Sequence, residues 1–279
     1  SAPDPSGSGA DSRVDFVYKI DVSLMWQPVT PADVLLAAGA GLLAGAVNAV
    51  AGGGTLISFP ALIAVGLPSN AANATNTVAM CAGYLTGVGA QRSELATFDG
   101  NRRKLAIVGA VGGLIGAILL TISDEDLFSA IVPFLILAAC ALLVFQPQIR
   151  KLAARGAAEH SGHAHTRVGL VAIFATAVYG GYFGAGLGIV VLAVLGILFT
   201  LPMSRVNALK GLLQLVINVV AAAFLAIGGD VRWTFALVVG AGALIGGYLG
   251  GWMAPRLNPN AVRFGVALLG VYVAIRFWL

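Results

Sequence analysis

Apolar residues gather in long, uninterrupted runs along the chain. The runs fall at approximately 33–51, 55–67, 71–90, 104–122 and 127–146, then at 168–186, 188–201, 206–227, 234–252 and 262–278. Several approach the roughly 20 residues that a helix needs to cross a bilayer. Polar and apolar positions do not alternate as they would in an outer-membrane barrel, so the pattern predicts an all-α polytopic membrane protein. Runs 55–67 and 188–201 fall short of a spanning helix by about a third, and each follows a glycine cluster. Steep spanning, re-entry and a broken helix are all compatible with that length.

The runs make two sets of five, and the sets are related. A shift of 134 positions lays Gly52, Gly54, Leu67, Pro68, Asn73 and Ala74 on Gly186, Gly188, Leu201, Pro202, Asn207 and Ala208. This predicts two transmembrane repeats, 31–146 and 168–279, joined by a linker at 147–167. An odd number of segments per copy makes the second copy enter from the opposite side, which is an inverted-topology repeat. Loop charge sets the orientation. Arg92, Arg102, Arg103 and Lys104 crowd one loop and Arg150, Lys151, Arg155 and Arg167 another, whereas the turn between them reads Ser123-Asp124-Glu125-Asp126. Basic loops stay in the cytoplasm, so the acidic turn and both termini are expected outside, in a multi-pass protein of the inner (cytoplasmic) membrane.

Residues 1–30 stand apart from this pattern. SAPDPSGSGADS reads as an expression scar or a processed, flexible terminus. Val14 to Trp26 alternates like a strand yet carries Tyr18 and Trp26 like an interfacial segment, and both readings stay open. Thr30-Pro31-Ala32-Asp33 marks a helix start, with a hydroxyl cap before proline at the first helical position.

Of 279 residues 58% are hydrophobic and 10% charged, against about 25% charged in soluble domains. An ordinary soluble enzyme is thereby excluded. The net charge of +4 comes from basic residues dispersed among short loops, which does not make a nucleic-acid surface. Cys81 and Cys140 sit inside apolar runs and read as buried thiols.

Three features carry candidate chemistry. Asn48-Ala-Val-Ala-Gly52-Gly53-Gly54-Thr55 joins a long run to a short one, and its second copy ends Gly184-Ala-Gly186-Leu-Gly188. Consecutive glycines stop a helix, and a helix restarting at membrane depth offers backbone N–H groups and a positive dipole end to an anion. The same glycines also permit close helix packing. The second feature is the polar helix start at 68–77 with its counterpart at 202–211. Asn70, Asn73 and Thr77 share a helical face, as do Asn207, Lys210, Gly211 and Gln214, with Asn218 extending the second. Asn76 and Lys210 are repeat equivalents, so polar groups from both copies are expected to converge near the pseudo-symmetry axis, with capping and interhelical bonding as the alternative role. The third is Lys210 itself, with Arg205 nearby, in a stretch from 160 to 229 that contains no acid. A lysine within a span either snorkels or faces a polar cavity, and here an anion is its expected partner. With no carboxylate inside the spans apart from Asp33 at the start of the first run, a proton relay or carboxylate-bound sodium is not expected. His160, His163 and His165 have metal-binding spacing but lie in the linker, where a solvated loop is the expected reading. No cofactor is expected.

At these residues the chain resembles a known family. GLLAGAVNAVAGGGTLISFPALIAVGLPSNAANATNTVA, echoed by YGGYFGAGLGIVVLAVLGILFTLPMSRVNALKGLL, is similar to the TauE/SafE sulfite exporters, also called toluene sulfonate uptake permeases, over about 31–279. The second copy departs where Leu187 interrupts the glycines and Val194 stands in place of Pro60. The resemblance implies a secondary transporter of sulfite or an organosulfonate-related anion, with export favoured. The expected ligands are Asn48, Gly52, Gly53, Gly54, Thr55, Asn73, Asn76, Thr77, Gly186, Gly188, Arg205, Asn207, Lys210 and Gln214. Its partners are that small anion and the lipid bilayer. An anion channel is one alternative. A sulfur-handling membrane enzyme or scaffold is the other, but apart from Asp33 at the start of the first run the runs hold no histidine, no carboxylate and only two isolated thiols for catalysis.

Overall fold

The computed structural model describes residues 30–277 apart from 51, 91, 97–101, 150, 153–166, 200 and 254–257. The stretch Val14 to Trp26 and the linker histidines lie outside the described residues. Each predicted run is a helix: α1 (Pro31–Val50), α2 (Thr55–Ala64), α3 (Ser69–Ala90), α5 (Arg102–Ile122), α6 (Glu125–Val144), α7 (Arg167–Tyr182), α8 (Leu187–Leu198), α9 (Met203–Gly228), α10 (Trp233–Met253) and α11 (Pro259–Arg276). Five of them, α1, α5, α6, α9 and α10, are long and apolar enough to cross a membrane. No strand occurs among the described residues. One element was not expected: α4 (Arg92–Ala96), a short helix in the basic loop, whose Leu95 carbonyl accepts a 2.6 Å bond from the Arg102 guanidinium.

Helix starts follow local chemistry. Thr30 and Asp33 cap α1 reciprocally, Thr30 N–H donating to the carboxylate at 3.0 Å and Asp33 N–H to the hydroxyl at 3.3 Å. Asp124 caps α6 and Asn258 caps α11, through side-chain acceptors 134 positions apart. The polar starts of α3 and α9, which read as alike, differ. α3 is capped from another helix, for the Glu125 carboxylate accepts from Ser69 N–H at 2.5 Å and Asn70 N–H at 3.0 Å. Pro202 at the start of α9 makes no side-chain cap.

Small residues set how the helices pack. In the parallel pair α1 and α10, Gly41 faces Val239 and Gly45 faces Ala243, and a Cβ added to Gly246 would stand 2.7 Å from the Leu42 carbonyl carbon. In the parallel pair α5 and α7, a Cβ on Gly112 would stand 2.6 Å from that of Ala177, and one on Gly116 2.7 Å from Tyr182 N. Gly112 and Gly116 are 134 positions from Gly246 and Gly250, which meet Leu42 and Ala46, so each pair approaches through equivalent glycines. α3 packs along α10, α9 along α5, and α3 and α9 meet each other at the centre. They run antiparallel: Gly211 faces Val88, Tyr84 lies against Gln214, and Thr75 bonds to Arg232 just beyond α9. Beside them, α2, α6 and the end of α7 share an aromatic cluster in which Phe183 stacks edge-on with Phe59 at 5.4 Å.

The glycine contacts give a direct test of packing. Gly246→Leu places a side chain against the backbone of Leu42 and is expected to cost at least the roughly 1–3 kcal/mol typical of overpacking. Gly39→Ala meets nothing within 4 Å and is expected to leave stability unchanged or raised. Thermal unfolding of the two purified variants in detergent measures the contrast.

Candidate functional site at the two helix breaks

The chain reverses twice through left-handed glycines. Gly52 has φ +80° between α1 and α2, and Gly184 and Gly186 have φ +73° and +70° between α7 and α8. Gly52 and Gly186 are repeat equivalents, and side chains rarely adopt this conformation. Much of each first turn is already bonded within the break: Leu56 N–H to Gly53 O at 3.1 Å and Ile57 N–H to Gly54 O at 2.9 Å on one side, Leu187 N–H to Gly184 O at 3.1 Å and Ile189 N–H to Gly186 O at 2.9 Å on the other. The stock of freed backbone donors is therefore smaller than three glycines suggest.

Other glycines here answer to packing. A Cβ on Gly53 would stand 3.2 Å from both δ-methyls of Leu143, and one on Gly54 would stand 2.9 Å from the Ala44 carbonyl carbon and 3.1 Å from Asn48 Cβ. Asn48, half-buried, thus lies against the start of α2.

Between the breaks lies a buried polar bridge. The Tyr84 hydroxyl on α3 lies against the side chains of Thr55, at the start of α2, and Gln214 on α9. Thr55, Tyr84 and Gln214 are 6%, 7% and 5% exposed. The Gln214 amide in turn rests on Gly188 in the first turn of α8, where a Cβ would stand 3.0 Å from Nε2. Asn218 Nδ2 donates to Gln214 O at 2.8 Å one turn further along α9, and Cys81 Sγ to Thr77 O at 3.4 Å on α3. The bridge therefore links both half-helix starts through the two central helices. Both starts bring a positive dipole end, and the described acids lie elsewhere, at helix starts, in α4 or in loops.

Tyr84 escaped the sequence reading, because an aromatic residue within an apolar run reads as core. The shift of 134 held the signal, since it sets Tyr84 opposite Asn218.

The remaining predicted ligands do not converge on this bridge. Antiparallel packing puts the N-terminal parts of α3 and α9 at opposite ends of the pair. Lys210 neighbours Gly211, which faces Val88, whereas Asn76 is twelve positions earlier on α3, about 18 Å of helix rise. Asn73, Asn76 and Thr77 are all buried toward one end. Asn73 Nδ2 donates to Tyr182 O at 2.7 Å and Thr77 Oγ1 to Asn73 O at 2.9 Å. Arg205, Asn207 and Lys210 are half-buried toward the other end. There α4 packs on α9 and brings Glu94 to Ser204, with Oγ to Oε2 at 3.3 Å. The acid-free stretch of sequence thus gains a carboxylate neighbour through the fold.

The chain is similar to known proteins. The chain is 29% identical over 235 residues to a "Probable membrane transporter protein" of Haemophilus influenzae, covering 82% of this chain and 88% of that one. It is 27% identical over 245 residues to "Probable membrane transporter protein ORF9" of Sinorhizobium sp, covering 85% and 89%. It is 26% identical over 218 residues to "Probable membrane transporter protein YfcA" of Escherichia coli K12, covering 77% of each. No solved structure matches the chain. Residues 37–277 match the profile of the family described as "Sulfite exporter TauE/SafE", and with nearly all of the helical region included, this multi-pass membrane protein belongs to that transporter family.

Proposed function

We propose that this transporter carries a sulfur-containing oxyanion, sulfite or an organosulfonate-related anion, outward across the cytoplasmic membrane by alternating access of two inverted repeats. The bridge Thr55–Tyr84–Gln214 is the observation that carries this reading. It offers two hydroxyls and an amide N–H₂, neutral donors suited to the oxygens of a sulfite or sulfonate group, beside two helix starts whose dipoles favour negative charge. These groups face one another in the bridge, and an anion would draw on all three. Asn48, Gly52, Gly53, Gly54, Gly186 and Gly188 shape the wall. Lys210 and Arg205 lie at the cytoplasmic approach and draw the anion in by charge, with the neutral Asn207 amide beside them. Asn73 lies eleven positions before Tyr84 on α3, about 16 Å of helix rise, so it stands outside the anion's ligand set.

The inverted repeat has its own support. Equivalent helices α3 and α9 run antiparallel, and the parallel pair α1 and α10 exchanges with the pair α7 and α5 under the same shift of 134. Rocking one half against the other about the α3/α9 crossing would open the bridge to each side in turn.

Labelled sulfite counterflow in proteoliposomes tests carrier action, and the absence of counterflow with intact conductance would favour a channel. Tyr84→Phe and Thr55→Val remove one hydroxyl each at nearly constant shape. Each is expected to weaken apparent sulfite affinity about tenfold or more, because a hydrogen bond to a charged group is worth roughly 1.5–3 kcal/mol. Unchanged affinity with normal insertion would place the anion elsewhere. Lys210→Gln is expected to slow uptake from the cytoplasmic side at low ionic strength, with the deficit shrinking as salt rises. Orientation is checked separately in a Cys81→Ala, Cys140→Ala background. Asp126→Cys should react with an impermeant thiol reagent in intact cells and Lys151→Cys only after lysis, whereas equal labelling from outside would refute the inverted arrangement.

A further inference from the structure

We infer that the protein holds a monovalent cation, of which sodium is the expected ion, on the side-chain oxygens of Asn73 and Asn76 where α3 meets the C-terminal end of α7. Asn73 is 0% exposed and Asn76 2%. The Oδ1 atom of each is buried without a hydrogen-bond partner among the described residues. A buried acceptor left bare is costly, and native structures seldom tolerate one without a function or a bound species.

Exchanging the oxygen and nitrogen of the Asn73 amide does not remove the problem. Its Nδ2 donates to Tyr182 O at 2.7 Å, and a flip would set two acceptors against each other. The two asparagines are neighbours on the helix surface at a spacing of three, so their side chains lie side by side on α3. Tyr182 closes α7, and the last carbonyls of a helix carry the negative end of its dipole. Bare carbonyl oxygens beside a negative helix end repel an anion and attract a cation. The ligands are amide and backbone oxygens, hard and neutral, and a set without a carboxylate suits a singly charged ion better than calcium or magnesium. The nearest described carboxylate one turn outward, Glu125, is engaged by Ser69 N–H, Asn70 N–H and the Ser129 hydroxyl.

Such a cation would tie α3 to α7, helices from opposite halves of the chain. Tyr84 stands eight residues further along α3, about 12 Å of rise, so one helix carries both the cation and the anion bridge. That arrangement couples a sodium gradient to the proposed movement. The cation site itself rests on the two bare oxygens and not on the identity of the anion.

Thermal unfolding of the purified full chain, in NaCl against choline chloride at constant ionic strength and without sulfite, tests the site. Sodium is expected to raise the Tm of the wild type by several degrees in a saturable way. Asn76→Leu should abolish that shift. Asn76→Asp, which keeps the shape and adds a charge, should lower the half-saturating sodium concentration about tenfold. Superposed sodium and choline curves for the wild type would overturn the site and leave a buried water as the occupant. Should Asn76→Leu fail to fold, an unchanged half-saturation in Asn76→Asp would overturn it equally. Sulfite counterflow that persists without any sodium shift would leave the transport reading standing and remove only the cation. A sodium shift without sulfite counterflow would do the reverse.

Discussion

A helix that stops inside a bilayer strands backbone groups that lipid cannot satisfy. This chain breaks its helical path at glycines after α1 and α7, and polar groups of the interior meet the backbone freed there. The breaks bond parts of their own first turns, as Leu56 N–H does to Gly53 O and Leu187 N–H to Gly184 O. Asn73 reaches from α3 to the carbonyl that ends α7, and the Tyr179 hydroxyl donates to Ala185 O within the second break. Polar side chains on α3 and α9 are thus part of how a broken backbone is accommodated, as well as the material of any site.

Close packing follows from the same constraint. Broken helices gain stability only if intact neighbours hold them in place, and apolar side chains give no hydrophobic drive against lipid tails. Gly41, Gly45, Gly246 and Gly250 let α1 lie backbone to backbone with α10, and Gly112, Gly116 and Gly181 do so for α5 and α7. Each broken helix is thereby clamped to a continuous one. The polar bridge at Tyr84 lies where the two clamped units meet, at the crossing of α3 and α9.

What could be read in the sequence divides along physical lines. Hydropathy is a property of whole segments, so all ten runs were legible, and so were the glycine breaks, because consecutive glycines carry a high cost within a helix. Direction along a helix was harder. Asn76 and Lys210 looked convergent because they are repeat equivalents, but equivalent residues on antiparallel helices lie far apart unless they fall near the crossing point. Contacts between distant parts of the chain left no local trace: Glu125 capping α3 and Glu94 meeting Ser204 span 56 and 110 positions. Tyr84 was hidden for a different reason, since its ring satisfies the apolar pattern and only its hydroxyl betrays another role.

The bridge is also unequal, and that has consequences for transport. Under the shift of 134, Thr55 corresponds to Ile189, Tyr84 to Asn218 and Gln214 to Met80. The first half supplies two hydroxyls, and the second an amide and the bare backbone of Gly188. A symmetric pocket on a two-fold axis would bind a pyramidal oxyanion in two equivalent poses. On the function proposed above, hydroxyls on one wall and an amide on the other would select one pose, with the anion's lone pair or organic substituent pointing in a fixed direction. Near-symmetric scaffolding would give the inward and outward forms of such a carrier comparable packing, and unequal side chains at the crossing would make them differ in how they hold the substrate. The first property would permit the proposed movement, and the second would supply discrimination between a small inorganic oxyanion and a bulkier sulfonate.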